Sequence, residues 1–218
     1  MSIFQSFLLC GIGIGLVCGT GEHCCTSSRF HAAIKIEIAV LKRGSMTPTF
    51  YIDTVMEDYD RNMKMIKYMG TIVENMGGND ETTTNFTNIS DYGNGKAYNF
   101  GVYSGTPYCN VTQIDPKDMD NGCVPSSLNF TGSFTVGSGS NSVLINSFDG
   151  VIGNFHWSMQ RTANECAPIT YSRFGIEDDG TYMKENGMYL DVVQNVTRTG
   201  AFAIPDSCNQ VINTMPLG

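Results

Sequence analysis

Apolar residues recur at every second position through much of this chain. Along Ala33-Ile34-Lys35-Ile36-Glu37-Ile38-Ala39-Val40, the side chains of Ile34, Ile36, Ile38 and Val40 share one face and Lys35 and Glu37 point the other way. That alternation predicts a half-buried strand. Similar runs follow at 50–56, 63–69, 98–103, 142–147, 152–159, 169–176 and 188–196, most of them short, rich in β-branched or aromatic residues and bounded by Gly, Asn, Asp or Pro. Turn signals are dense: Gly77-Gly78-Asn79-Asp80, Tyr92-Gly93-Asn94-Gly95, Asp120-Asn121-Gly122, Ser147-Phe148-Asp149-Gly150 and Asp178-Asp179-Gly180. Asn-Gly and Asp-Gly supply the positive φ that tight hairpins need. No longer segment keeps a clean helical period. Ala32 to Leu41 comes nearest, and its alternating Ile residues argue against a helix. The pattern predicts one antiparallel all-β domain of eight to eleven strands, with no internal repeat and no linker that would split it.

The N-terminus departs from this pattern. Phe7-Leu8-Leu9 through Leu16-Val17-Cys18 is apolar for about a dozen residues, short of the roughly 18 a membrane span requires, and small residues Gly19, Thr20 and Gly21 follow it. The run reads as the apolar core of a secretory signal peptide, although Met1 to Ser6 carries no Lys or Arg. The expected division is a signal peptide over 1–21 and a single domain over 22–218.

Charge narrows the function classes. With 13 Lys plus Arg against 21 Asp plus Glu, the formal net charge is -8. Such a chain has no basic footprint for nucleic acid and no cationic cluster for an anionic membrane surface.

Of the eight cysteines, Cys10 and Cys18 would leave with the leader. Cys24, Cys25, Cys109, Cys123, Cys166 and Cys208 remain, an even set that reads as three disulfides in an exported chain, with fifteen connectivities open. Zinc is disfavoured because structural sites draw ligands from pairs two to four residues apart, and no such pair exists. Five N-x-S/T sequons, at Asn85, Asn88, Asn110, Asn129 and Asn195, suit the same compartment and are expected at the surface.

Catalytic constellations are thin. His23, His31 and His156 have no metal-spaced partner, and no G-x-S-x-G, H-E-x-x-H or G-x-x-x-x-G-K sequence is present. Gly137-Ser138-Gly139-Ser140 lacks the following helix that a phosphate site needs. The acids Glu177, Asp178 and Asp179 fall in a turn. Asp58-Tyr59-Asp60-Arg61-Asn62 begins like a calcium-binding loop, but Met63 and Met69 stand where the motif needs Gly and Glu. It reads better as a strand–turn–strand.

Twelve Met, ten Tyr and twelve Phe suit either a self-filled sandwich core or an adaptable apolar cavity. Runs 63–69 and 152–159 are the candidate cavity lining, with Met63, Met65, Ile152, Phe155 and Trp157 as pocket residues.

Several segments occur in a familiar order: Tyr59-Asp60-Arg61-Asn62-Met63-Lys64, Asp91 to Tyr98 leading to Tyr108-Cys109, Cys123-Val124-Pro125, Phe155-His156-Trp157, Glu165-Cys166-Ala167-Pro168, and Phe202-Ala203-Ile204-Pro205-Asp206-Ser207-Cys208. Over about residues 24 to 210 this order resembles the ependymin family, in its ependymin-related branch. The resemblance implies a secreted or lysosomal-lumen glycoprotein without enzymatic activity. Its expected fold is two stacked antiparallel sheets forming a half-open barrel around a hydrophobic pocket for lipid or another hydrophobic ligand. It further implies a homodimer, weak glycan-assisted calcium binding, no dedicated metal site, and cell–matrix adhesion as the alternative role if the cavity is incidental. It also implies a Cys109–Cys208 bond, with the vicinal pair reaching Cys166 and Cys123. The expected pairing there is Cys25–Cys166 and Cys24–Cys123.

Overall fold

The computed structural model describes residues 24–75, 81–103 and 106–209. The leader and the turn expected at 77–80 lie outside these residues. Eleven strands follow in chain order: β1 (Arg29–Leu41), β2 (Thr49–Asp60), β3 (Met65–Asn75), β4 (Glu81–Asp91), β5 (Lys96–Tyr103), β6 (Thr106–Gln113), β7 (Leu128–Val136), β8 (Val143–Ile152), β9 (Phe155–Thr162), β10 (Pro168–Ile176) and β11 (Tyr182–Gln194). The only helical turns among the described residues are short 3-10 segments. The all-β antiparallel architecture is therefore as the alternation predicts.

The expected pair of separate sheets is replaced by one continuous ladder, ordered β6-β5-β4-β3-β2-β1-β11-β10-β9-β8-β7. β1 and β11 pair along almost their whole length, from Phe30 opposite Gln194 to Leu41 opposite Tyr182. That pairing fuses two meanders that would otherwise be distinct layers. The sheet nevertheless brings its two halves face to face. Side chains of β4 and β9 line the same cavity, yet six strand spacings separate them, roughly 29 Å in a flat sheet. Only strong curling reconciles the two facts.

The connection from β6 to β7 crosses the curled sheet. It must join the two outer edges through residues 114–127, which include a 3-10 turn at Pro116–Asp118. Midway it is pinned over the sheet's centre: Tyr59 Oη donates to Asp120 O at 3.0 Å and Arg61 Nη1 to Asn121 O at 3.0 Å. Beneath it lies the core of Phe30, Ala32, Tyr59 and Ile66, with Met119 of the crossing segment packed on top. Phe30 and Tyr59 stack at 5.1 Å.

A second strap crosses the outer, convex face. After β11, Thr197 Oγ1 donates to Asp60 and Arg198 makes two hydrogen bonds to Asp58, at 2.9 and 2.5 Å. His31 Nδ1 lies 3.0 Å from the same carboxylate. Burial by itself would raise the Asp58 pKa, but Arg198 and His31 more than offset that and hold it below the usual carboxylate range. The strap ends at Cys208, bonded to Cys109 on edge strand β6, so that edge is covered.

The vicinal cysteines pair in the opposite sense to that expected: Cys24 with Cys166 and Cys25 with Cys123. The reason is local register. Val124 N donates to Cys24 O and Thr26 N to Gly122 O, an antiparallel bridge that sets Cys25 directly opposite Cys123. Neighbouring side chains of an extended segment point to opposite sides, so Cys24 faces away, toward the turn after β9 that carries Cys166.

Three other expectations change. Ser147 to Gly150 is the middle of β8, with Phe148 almost wholly buried, and not a turn. The run 152–159 is two strands, because Gly153 at φ 58° opens a hairpin between β8 and β9. The segment 63–69 begins in the turn after β2, and β3 starts at Met65. Turns at 92–95, 120–122 and 178–180 are present, with Gly95, Gly122 and Gly180 all at positive φ.

Tandem mass spectrometry of the unreduced protein is expected to place Cys25 on the Cys123 peptide. Replacing Cys109 and Cys208 together by Ala opens a loop of 99 residues. Urea unfolding should then show a loss of about 2–5 kcal/mol; an unchanged midpoint would contradict the strap's role.

Candidate ligand cavity

The concave face holds a cavity of about 440 Å³. Its apolar wall comes from Ile34 and Ile36 of β1, Val55 of β2, Phe86 of β4, Trp157 and Met159 of β9, and Pro168 of β10. Strand alternation puts these side chains inward. The same alternation brings in Asp53 beside Val55, Arg161 beyond Met159, and Glu185 and Tyr189 on β11. One inward position must stay without a side chain. A Cβ on Gly187 would lie 2.0 Å from the Tyr171 ring, which covers that glycine across the β10–β11 ladder.

The polar groups form two sets. Glu185 is fully occupied: Tyr171 Oη donates to its Oε1 at 2.6 Å, and Arg173 donates to Oε2 through Nε at 2.9 Å and Nη2 at 2.6 Å. The Arg173 guanidinium in turn lies over the rings of Phe155 and Trp157, 5.4 and 5.3 Å from their centroids. Burial and the Glu185 carboxylate both push the Tyr171 hydroxyl pKa up. It stays a proton donor at all physiological pH.

The second set is under-satisfied. Glu57 is buried behind the lining residue Tyr68, whose Oη donates to its Oε1 at 3.0 Å, while Oε2 has no partner among the described residues. Burial raises the Glu57 pKa to about 7; Asp120 adds to the rise, and the Tyr68 hydrogen bond and Arg161 oppose it. Asp53 is 8% exposed and its Oδ1 is likewise unpartnered. Burial raises its pKa, and the nearby Glu185 charge raises it further.

The structure distributes the sequence-predicted pocket residues unevenly. Trp157 lines the cavity, and Phe155 flanks it beneath Arg173. Met65 is buried outside the lining, Met63 projects from the β2–β3 turn and is exposed, and Ile152 closes the β8 end of a hairpin. Asp53, Glu57, Arg161, Tyr171 and Glu185 were not anticipated. Their signal was parity, since Asp53, Val55, Glu57 and Tyr59 alternate on one face of β2. Among the sequons, Asn85, Asn110, Asn129 and Asn195 are exposed. Asn88 is half-buried in the cavity wall, so the expectation of surface exposure fails for it.

Among the described residues no group of three or more His, Cys, Asp or Glu is placed to hold a metal ion. Asp60 of the apparent calcium-loop motif instead accepts from the Met63 amide at 3.0 Å and closes the β2–β3 turn.

The site thus defines the chain as a curled, disulfide-braced antiparallel β protein with a cavity on its concave face. Within that class, the ependymin family model matches residues 80–208, more than half of the chain, and the chain belongs to the ependymin family. No curated protein matches it. Solved structures with some likeness include a LolA superfamily protein from Nitrosomonas europaea, at 8% identity over 82% of this chain and 91% of that one, with a TM-score of 0.32. Another is a DUF1329 family protein from Desulfovibrio piger, at 6% identity over 84% and 92%, with a TM-score of 0.30. Likenesses this loose carry no argument about the ligand.

Glu57 makes stability pH-dependent in a specific direction. Its pKa is raised on folding, so the folded state binds more protons than the unfolded one between about pH 4.5 and 7. This contribution is full below that window and lost as pH rises through it. Glu57→Gln should flatten the decline of the urea midpoint between acid and neutral pH, an effect of at most about 3 kcal/mol. An unchanged profile would show that Glu57 titrates normally.

Proposed function

We propose that this chain is a secreted or lysosomal-lumen glycoprotein, without enzymatic activity, that holds a lipid or similar amphiphile between the two facing halves of its sheet. The observation that carries this reading is the cavity itself, about 440 Å³, within the roughly 300–1,000 Å³ of small-molecule sites. Three disulfides support an oxidising compartment. Burying each methylene of an acyl chain contributes roughly 0.8 kcal/mol, so a partly inserted tail suffices for micromolar binding.

Displacement of a fluorescent fatty acid or phospholipid from delipidated protein is the test. Saturable binding is expected, and Ile36→Trp, which fills the cavity from β1, should weaken it by about tenfold or more. Equal binding by the variant would place the ligand elsewhere.

An adhesion role is the second reading. It is supported by an apolar row on the convex face, where Leu190 adjoins Ala33, then Met56 and Met69 across β11, β1, β2 and β3. Leu190 and Met69 are exposed. Such a row suits contact with extracellular matrix or with a second copy of the chain. Absence of saturable lipid binding would leave this reading standing.

Calcium, on the first reading, binds weakly and through glycans. Calorimetry on deglycosylated protein should show no tight site, and submicromolar one-to-one binding would overturn that.

A further inference from the structure

The polar part of the cavity carries more negative than positive charge, and its acids differ in how well they are satisfied. Glu185 already takes three hydrogen bonds from Tyr171 and Arg173. Asp53 is buried in the same wall, and its Oδ1 finds no donor among the described residues. A buried carboxylate oxygen without a partner costs several times the gain of an ordinary hydrogen bond. The Asp53 carboxylate turns easily about its Cβ–Cγ bond, so either oxygen can be presented to the cavity.

In the lining the acids Asp53, Asp120 and Glu185 outnumber the cations Arg161 and Arg173. Arg173 is committed to Glu185, and Arg161 acts on Glu57. The adjoining walls are apolar, from Ile36, Val55 and Phe86. A guest that complements this arrangement has an alkyl chain for the walls and a positive, hydrogen-bond-donating head for Asp53. A fatty-acid carboxylate would meet like charge at that point, and a simple alcohol would offer one neutral donor.

Resting on the lipid-cavity reading, we infer that the cavity selects single-chain amphiphiles with a primary-amine head, such as long-chain amino alcohols, and that Asp53 is the residue that receives the ammonium. The charge-assisted contact from ammonium to carboxylate is about twice as strong as a neutral one. It releases Asp53 from its unpartnered state, so part of the binding energy comes from relieving a cost already present in the empty protein.

The test uses delipidated full-length protein and four probes of equal chain length: decylamine, decanol, decanoate and decyltrimethylammonium. Calorimetry is expected to show decylamine binding about tenfold or more tighter than decanol and decanoate. The trimethylated cation, which has charge but no N–H, should fall between amine and alcohol. Asp53→Asn should cut decylamine affinity by about tenfold and leave decanol affinity within about twofold. These wild-type comparisons decide the matter even if the variant does not fold. Equal affinities across the four probes, or tightest binding of decanoate, would overturn the amine assignment and leave the lipid-cavity reading intact. Binding of none of them would overturn both.

Discussion

Arg29 to Leu41 and Tyr182 to Gln194, the first and last strands of the domain, lie side by side at the centre of the sheet. Through this ladder two meanders, one running outward from β1 to β6 and the other inward from β7 to β11, share a single hydrogen-bonded surface. Because the ladder joins them at the middle, the segment between β6 and β7 has to travel from one edge of the sheet to the other. Across a flat sheet that distance would be about 48 Å, close to the limit of the extended segment, whereas its 3-10 turn and its anchors at Asp120 and Asn121 fit a curled one. The cavity lies within that curl, where β4 faces β9. The disulfides act at the same joint: Cys25 ties the entry to β1 to the crossing segment, and Cys24 ties it to the turn between β9 and β10.

The two faces of the sheet are stabilised differently. On the convex side, Asp58 is buried between Arg198, which pairs with it through two hydrogen bonds, and His31, 3.0 Å away, in keeping with the severe cost of an unpaired buried charge. On the concave side, compensation is uneven. Glu185 is locked by Tyr171 and Arg173, whereas Asp53 and Glu57 each keep an oxygen without a partner. Asp53 stands in the cavity wall and Glu57 behind Tyr68, so the uncompensated polar cost lies on the concave side.

Legibility from the residue pattern was uneven for identifiable reasons. β1, β10 and β11 were apparent because their apolar alternation or β-branched content is strong. β4 was not, because its Thr82-Thr83-Thr84-Asn85 start carries no apolar alternation and is held by pairing to β3. Ser147 to Gly150 looked like a turn because Asp-Gly is among the dipeptides that tight hairpins favour. In the fold Gly150 sits opposite Leu128 and packs against it, where a Cβ would lie 2.5 Å from the Ser127 carbonyl oxygen. β2 misdirects most. Its apolar Phe50, Ile52 and Met56 point outward, while Asp53 and Glu57 point in. The cavity acids were therefore hidden by the usual rule that charges face water.

Local sequence, then, was enough to determine the all-β class, the turns at 92–95 and 178–180, the even set of cysteines and the family. Each of these depends on a few neighbouring residues or on their order along the chain. The tertiary structure alone decided the single continuous sheet, the pairing within Cys24 and Cys25, and the gathering of Asp53, Arg161, Tyr171 and Glu185 around one cavity. Those outcomes depend on which strand pairs with which and on the sheet's curvature. Both are set by contacts between segments as far apart in the chain as β1 and β11, which no local pattern encodes.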